Sequence, residues 1–496
     1  MTLAMRFTLP SIALFLAFCE TIRATEFRVV FTPTVARTFS GRIYVMTSEG
    51  QPHSETPTEP NWFHPSPFFA VDVANVKAGE PIVLGDDALG FPGPLSTLRP
   101  GDYMVQAILD LNRSERTFAG AELNGYSRWK SITLRSSSDH FDLSIDQTVP
   151  ARADRESPRL RLVDIKSKLL SEFHGRDVHL KATVALPPSY SKDTNRKYPI
   201  VYEIPGFGGT HRAPPFYSQH TVKDNEEFLQ VLLNPECPLG HHVFADSANN
   251  GPYGRALIEE LIPHIEATYR AVNKPEARFV TGHSSGGWSS LWLQVAYPDS
   301  FGGVWSTAPD PVDFRDFQRI NLYAAGVNMF KDERGQPRPI ARRGETPMLF
   351  YKAFSDMEVV MGHGGQLGSF EAVFSPRMPD CQPRKLWDRK SGTVDHETAE
   401  TWKAYDIRMK LEREWPELAP KLAGKLHVYM GGLDTFYLDG AAKLLKASLE
   451  KLGSDAAVEI FPGKDHGTLM DSAMRTRISK EMADAYRKSA GIRLKN

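Results

Sequence analysis

The sequence is poor in cysteine, with three in 496 residues. If the N-terminal segment is removed on export, only Cys237 and Cys381 remain. An oxidising compartment would permit these two to pair, but spacing alone does not decide whether they are close, so the disulfide stays open. No Cys/His cluster has the spacing of a zinc site, and the sequence predicts neither a metal nor an organic cofactor.

The sequence also lacks an excess of either charge. Lys plus Arg number 59 and Asp plus Glu number 60, which gives a net charge of -1. This balance argues against nucleic acid or an anionic membrane as a dedicated partner. No stretch after the N-terminal segment is apolar enough for a transmembrane helix, so we expect no integral membrane association. Oligomeric state is left open.

Residues 1–24 have the pattern of a signal peptide. Arg6 is the one early charge, a short apolar run from Phe7 to Phe18 follows, and Ala24 offers a small residue for cleavage. The apolar run is too short to span a bilayer and has the length of a signal-peptide core. An N-terminal strand or helix of the fold is the alternative. We therefore expect a secreted or periplasmic protein.

Residues 25–150 have the pattern of short strands separated by turns. Apolar residues alternate from Tyr103 to Leu109 and from Phe141 to Ile145, and turn sequences such as Arg99-Pro-Gly-Asp lie between such stretches. This pattern predicts an antiparallel β-sandwich domain. Its role could be structural, or it could bind a carbohydrate or a surface.

From residue 159 to 496 strands alternate with helices, which predicts a mostly parallel sheet. Pro199 to Ile204 has the pattern of a short buried strand, and Leu257 to Tyr269 has helical spacing. Residues 311–418 do not fit a minimal strand–helix repeat and contain a predicted helix around Thr398 to Glu414. We interpret 311–418 as an insertion that forms a lid over the functional site.

Residues Gly282-His-Ser-Ser-Gly286 match the pattern G-x-S-x-G. A serine hydroxyl needs a base beside it to act as a nucleophile. The nucleophile elbow holds such a serine on a strained turn between a strand and a helix, and the flanking glycines allow close backbone approach. A predicted strand precedes the motif and an amphipathic helix follows it. The pattern predicts Ser284 as the nucleophile, and Ser285 is the rival.

An acid and a histidine should follow the serine in that order. Asp434 comes directly after the predicted strand Lys425 to Met430, and His466 follows the next strand. Functional groups of such a sheet gather at the carboxyl ends of its strands. We therefore predict His466 as the base and Asp434 as its orienting acid. Asp439 is the rival acid, and Asp465 adjoins the histidine.

Glycine-rich residues 204–209, Ile-Pro-Gly-Phe-Gly-Gly, follow an earlier strand. Backbone amides in such a turn can stabilise the oxyanion of the transition state. The predicted donors are the amides of Phe207 and Ser285, with Gly208 as the alternative to Phe207.

The catalytic region resembles the esterase D / putative-esterase family of α/β-hydrolases, which includes feruloyl esterases, S-formylglutathione hydrolases and mycolyl transferases. The resemblance covers about 177–470 apart from the insertion, and it rests on five stretches, at 184–190, 198–209, 260–263, 282–287 and 465–467. The family usually has His before the first Gly of its oxyanion turn, where this chain has Pro205. The resemblance implies an α/β-hydrolase fold and ester cleavage by a Ser-His-Asp mechanism.

Together these patterns predict an exported serine esterase acting on carboxylic esters, with carbohydrate- or polymer-linked esters as the leading substrates. Two alternatives are acyl transfer to an alcohol on the same three residues and a non-catalytic binding protein on a hydrolase scaffold. The presence of Ser284, Asp434 and His466 argues against the second alternative.

Overall fold

The computed structural model describes residues 25–135, 139–152, 157–213 and 226–491. The predicted signal peptide, residues 1–24, lies outside the described residues. The N-terminal region is built from ten strands: β1 (Glu26–Phe31), β2 (Thr38–Ser48), β3 (Phe68–Lys77), β4 (Ile82–Leu84), β5 (Leu89–Phe91), β6 (Gly101–Leu109), β7 (Gly125–Tyr126), β8 (Lys130–Leu134), β9 (His140–Ile145) and β10 (Gln147–Thr148).

These strands form two sheets that pack face to face. The smaller sheet has the order β4-β1-β9, and the larger has the order β10-β7-β6-β2-β3-β5 with β8 paired to β6. The pairs of the larger sheet are antiparallel, whereas β1 and β9 run parallel. Ile43 and Val45 of β2 point into the core between the two sheets.

The larger sheet is buried on its other face as well. Tyr44 and Met46, which alternate with the inward-facing residues of β2, belong to the core of the C-terminal region. Side chains of a strand alternate between the two faces of its sheet. A strand with consecutive apolar residues therefore contributes side chains to a core on each face. The N-terminal region is therefore packed against the rest of the chain through a continuous apolar interface.

Polar bonds cross the same interface. The Tyr44 hydroxyl donates to the carbonyl of Met361 at 2.6 Å, and Arg42 donates to the carbonyl of Val359 at 2.9 Å. Arg116 forms an ion pair with Glu236 at 3.7 Å. Each bond joins the β region to another part of the chain.

Fourteen strands follow in the described part of the C-terminal region: β11 (Leu160–Lys166), β12 (His179–Ala185), β13 (Ile200–Ile204), β14 (Leu229–Leu233), β15 (Glu236–Cys237), β16 (Gly240–His241), β17 (Asp246–Ser247), β18 (Gly251–Pro252), β19 (Arg278–His283), β20 (Gly303–Thr307), β21 (Pro339–Arg343), β22 (Thr346–Phe350), β23 (Leu426–Gly431) and β24 (Ala457–Phe461). Eight of them form the central sheet, in the order β11-β12-β14-β13-β19-β20-β23-β24. The pairs β11–β12 and β12–β14 are antiparallel, and the remaining pairs of this sheet are parallel.

Ten α-helices accompany these strands within the described residues: α1 (Lys168–His174), α2 (Tyr253–Ala256), α3 (Ile262–Thr268), α4 (Ser285–Ala296), α5 (Tyr351–Met361), α6 (Gln366–Phe374), α7 (His396–Trp402), α8 (Ile407–Leu422), α9 (Asp439–Lys451) and α10 (Ser472–Ala490). A π-helical turn, Leu257–Leu261, joins α2 to α3. The segment 311–418 runs between β20 and β23 and contains the hairpin β21–β22 and helices α5 to α7 with most of α8.

Candidate active site

Ser284 lies on the turn between β19 and α4. Its backbone has φ 61 and ψ -126, a conformation that residues other than glycine rarely adopt. The turn is tight, because a Cβ on Gly286 would lie 1.9 Å from the carbonyl oxygen of Ile204, and one on Gly282 would lie 2.1 Å from that of Gly286. Only glycine fits at both positions. This geometry holds the Ser284 side chain out of the sheet, at the carboxyl end of β19.

Asp434 and His466 are joined by a hydrogen bond. Nδ1 of His466 and Oδ2 of Asp434 are 2.7 Å apart. The second oxygen of the carboxylate accepts from the amide of Phe436 at 2.8 Å, and the Asp434 side chain is fully buried. Since Nδ1 is engaged by the carboxylate, Nε2 is the ring nitrogen left to exchange a proton with a reacting group.

Ser284 and His466 line the same cavity, which has a volume of about 280 Å³. The ring of His466 packs against two other rings: its centroid is 4.6 Å from that of His283 and 5.0 Å from that of Phe436. These contacts and the bond to Asp434 fix the plane of the imidazole.

The rival acids have other partners. Asp439 forms ion pairs with Arg342 at 2.8 Å and with Lys443 at 2.5 Å. Asp465 accepts hydrogen bonds from the amide and the hydroxyl of Thr468. The carboxylate joined to His466 is that of Asp434.

Ser285, the rival nucleophile, is also occupied. Its hydroxyl donates to Oδ2 of Asp310 at 2.6 Å and lies 3.3 Å from Nε2 of Gln366. Its amide is the first of helix α4, where a backbone N–H has no acceptor within the helix. Ser285 thus presents its amide, rather than its hydroxyl, as the group free to bind a reacting oxygen.

The glycine-rich turn after β13 runs past the serine. A Cβ on Gly206 would lie 3.2 Å from Cβ of Ser284 and 3.7 Å from its hydroxyl oxygen. Phe207 lines the cavity next to Gly206. Gly208 has φ +79, the left-handed conformation that lets the turn bend back on itself. The turn therefore lies beside the hydroxyl of Ser284, and Phe207 and Ser285 flank it from two elements.

The electrostatics of the site favour a charged His466. Burial opposes the charged ring, but the charge and hydrogen bond of Asp434, together with the smaller effects of Asp310 and Asp465, raise the pKa of His466 above the ordinary 6.5. In contrast, burial lowers the pKa of His283 to about 3. His283 is therefore neutral at physiological pH, and His466 is the one of the two that can carry a proton.

Sequence reasoning missed several residues of the cavity wall, among them Asp310, Gln366 and Trp62. Asp310 follows β20 by three residues, and burial raises its pKa to about 6. Its position after a strand of the parallel sheet was a usable signal. Gln366, from the 311–418 segment, and Trp62, from the β region, also line the cavity. Nothing in the local sequence of these two residues points to the site.

The segment 311–418 supplies much of the apolar wall. Besides Gln366 it contributes six residues to the cavity lining: Gln318, Ile340, Leu349, Phe354, Leu367 and Phe370. All of these six except Gln318 are aliphatic or aromatic, so the space in front of Ser284 is enclosed mainly by apolar side chains.

Both cysteines outside the N-terminal segment are free, with Cys237 buried and Cys381 exposed. In the described part of the chain, no group of three or more His, Cys, Asp or Glu side chains is arranged to hold a metal ion. Nor does that part contain a helix long and apolar enough to cross a membrane.

A mostly parallel sheet with a serine on a strained turn after one strand, and an acid and a histidine after two later ones, defines an α/β-hydrolase. The family model described as "Putative esterase" matches residues 174–458, more than half of the 496 residues. The chain belongs to this esterase family of serine hydrolases, which act on esters. The family and the fold predicted from the sequence are thereby confirmed.

Two ferulic acid esterases and one S-formylglutathione hydrolase are among the solved structures that the chain matches. A ferulic acid esterase is 14% identical with a TM-score of 0.40, and the match covers 66% of this chain and 98% of that chain. An S-formylglutathione hydrolase from Agrobacterium tumefaciens is 13% identical with a TM-score of 0.39, and the match covers 66% of this chain and 95% of that chain. A CE1 ferulic acid esterase from Anaeromyces mucronatus is 16% identical with a TM-score of 0.33, covering 67% and 92%.

Proposed function

We propose that this protein is an exported esterase that cleaves carboxylic esters through an acyl-enzyme formed on Ser284. The observation that carries the proposal is the strained turn of Ser284 facing the cavity that His466 also lines, with His466 bonded to Asp434 at 2.7 Å. A serine needs such a base to become nucleophilic, and the base needs a partner that fixes its tautomer.

In the first half-reaction the Ser284 oxygen bonds to the ester carbonyl carbon while Nε2 of His466 takes the serine proton. The negative charge on the carbonyl oxygen is stabilised by the amides of Phe207 and Ser285. The bond from the carbonyl carbon to the alcohol oxygen then breaks, and His466 gives its proton to the departing alcohol. Asp434 stabilises the imidazolium while it exists.

In the second half-reaction a water molecule replaces the alcohol. His466 removes one proton from the water while the water oxygen bonds to the acyl carbon. The bond between the acyl carbon and the Ser284 oxygen then breaks. The proton returns to the serine oxygen, which leaves a free carboxylic acid and the resting enzyme. Asp434 acts in both halves through the ring it orients, and no step needs a metal or an organic cofactor.

The proposed substrates are esters in which the alcohol is a carbohydrate or part of a polymer. The signal-peptide pattern of residues 1–24 supports export, and export supports a substrate outside the cytoplasm. The largely apolar cavity supports an apolar acyl or alkyl group on one side of the ester.

The activity is tested with a panel of acetyl and aryl esters of sugars and of polysaccharides. Matched peptides serve as the negative set. The proposal expects release of free acid from esters and none with Ser284→Ala. Transfer of the acyl group to an added alcohol as the main product would favour an acyltransferase. For export, protein recovered from the native host should begin near Thr25, and an intact Met1 on soluble cytoplasmic protein would contradict it.

A further inference from the structure

We propose that Trp62, from the N-terminal β region, is a specificity-determining wall of the substrate pocket that contacts the bulky apolar group of the ester. The inference rests on the esterase function proposed above and assigns part of substrate selection to a region outside the family match, which begins at residue 174. The residue that carries it lies in the connection 49–67 between β2 and β3.

Trp62 lines the cavity together with Ser284 and His466. Its ring packs on aromatic residues from three other parts of the chain. The ring centroid is 5.7 Å from that of Phe207 in the oxyanion turn, 4.9 Å from that of Phe354 in α5, and 6.4 Å from that of Phe436. Phe436 in turn packs edge-on against His466 at 5.0 Å.

The indole is only partly buried by these contacts, so part of its surface faces the cavity. Aromatic rings at 4.5 to 7 Å in tilted or edge-on arrangements attract one another, and an apolar ligand group placed among them extends the same cluster. The remaining cavity wall adds aliphatic side chains from 311–418, such as Ile340, Leu349 and Leu367. A cavity with this aromatic and aliphatic lining favours binding of a bulky apolar group of the ester over a charged group.

The connection 49–67 is held rigidly enough to act as a wall. It contains five prolines in 19 residues, and each proline fixes its own φ. The side chains of Gln106 and Trp129 donate to the backbone carbonyls of Glu55 and Ser54 at 2.8 and 2.9 Å. Asn61 accepts from the two amides that follow Trp62, at 2.9 and 3.0 Å. Trp62 is therefore positioned before any substrate arrives.

One arginine ties this connection to the oxyanion turn. Arg116 pairs with Glu59 at 3.0 Å, and its guanidinium lies over the ring of Phe207 at 4.6 Å. Arg116 is itself buried. Because Glu59 is three residues before Trp62, this contact fixes the distance between the tryptophan and the turn beside Ser284.

The test compares Trp62→Ala, Trp62→Leu and Trp62→Phe with the full-length wild type. Two ester series are measured. In the first the acyl group grows from acetyl to benzoyl and cinnamoyl on a constant ethyl alcohol. In the second the alcohol grows from ethyl to benzyl on a constant acetyl. The readout is kcat/KM for each ester relative to ethyl acetate, and thermal unfolding checks that each variant is folded.

The expected result is that Trp62→Ala lowers the ratio for bulky esters by about tenfold or more in one of the two series, while Trp62→Phe changes it less than about threefold. The series affected identifies which side of the ester the cavity holds. If Trp62→Ala does not fold, Trp62→Leu carries the comparison. His64→Ala, an exposed position in the same connection, is the matched control and should leave all ratios unchanged.

Unchanged ratios in both series for folded Trp62→Ala or Trp62→Leu overturn the inference. The proposed function then still stands, provided that the wild type cleaves ethyl acetate and Ser284→Ala does not. A wild type that cleaves no ester of either series overturns both, so the two failures are distinguished.

Discussion

Nδ1 of His466 lies 2.7 Å from Oδ2 of the fully buried Asp434, on a carboxylate whose other oxygen is held by the amide of Phe436. A buried carboxylate anchored in this way cannot rotate away from the ring. It stabilises the protonated form of the imidazole. The bond between these two residues should therefore set the pH dependence of the activity.

Activity should fall as pH drops through the pKa of His466, because the protonated ring cannot accept the serine proton. That pKa is raised by Asp434, so the acidic limb of kcat/KM should lie above the ordinary imidazole value of 6.5. In Asp434→Asn the negative charge is lost. The limb should move to lower pH, and kcat should fall roughly a thousandfold or more because the ring is misoriented. An unmoved limb would mean that another group sets the pH profile.

Asp310 should contribute to the pKa of His466 as well. Its carboxylate also raises the pKa of His466, by a smaller effect than that of Asp434. Asp310→Asn keeps an acceptor for the Ser285 hydroxyl and removes only the charge. The acidic limb should therefore shift down, by less than in Asp434→Asn. Ser285→Ala keeps the carboxylate but breaks the 2.6 Å bond that lowers the pKa of Asp310. Its limb should therefore move down less than that of Asp310→Asn.

Gly286 is required by packing rather than by chemistry. A Cβ there would lie 1.9 Å from a backbone carbonyl of β13, which cannot move without disturbing the central sheet. Gly286→Ala should lower the midpoint of thermal unfolding by many degrees or abolish soluble expression. Gly50→Ala, at a position with open space around it, is the matched control and should change the midpoint little. Equal midpoints for the two variants would contradict the tight elbow.

The sequence predicted the central sheet well because its signals are local. The strand before Ser284, the motif itself and the order of Asp434 and His466 are each readable from a few residues. The helix predicted around Thr398 to Glu414 is instead two helices, α7 and α8. Asp406 accepts from the amide of Met409 and starts α8 as its N-cap, a signal that helical periodicity alone overlooks.

The cavity wall could not be predicted in the same way. Trp62 reaches the site because the larger sheet of the β region is apolar on both faces, and its second face is packed against the C-terminal region. Period-2 alternation describes a strand with one buried face, and it does not tell which element covers the other. Long-range packing of this kind leaves no mark in the residues around Trp62.

The identity of the nucleophile is tested most directly by labelling with a fluorophosphonate, which reacts with an activated serine, followed by peptide mass spectrometry. The account predicts a single modified residue, Ser284, and no labelling in Ser284→Ala or after heat unfolding of the wild type. His466→Ala should label far more slowly, since the serine loses its base. Ester turnover should fall roughly 10⁵-fold or more in Ser284→Ala. Modification of Ser285 instead, or no modification of a folded and ester-cleaving protein, would contradict the account.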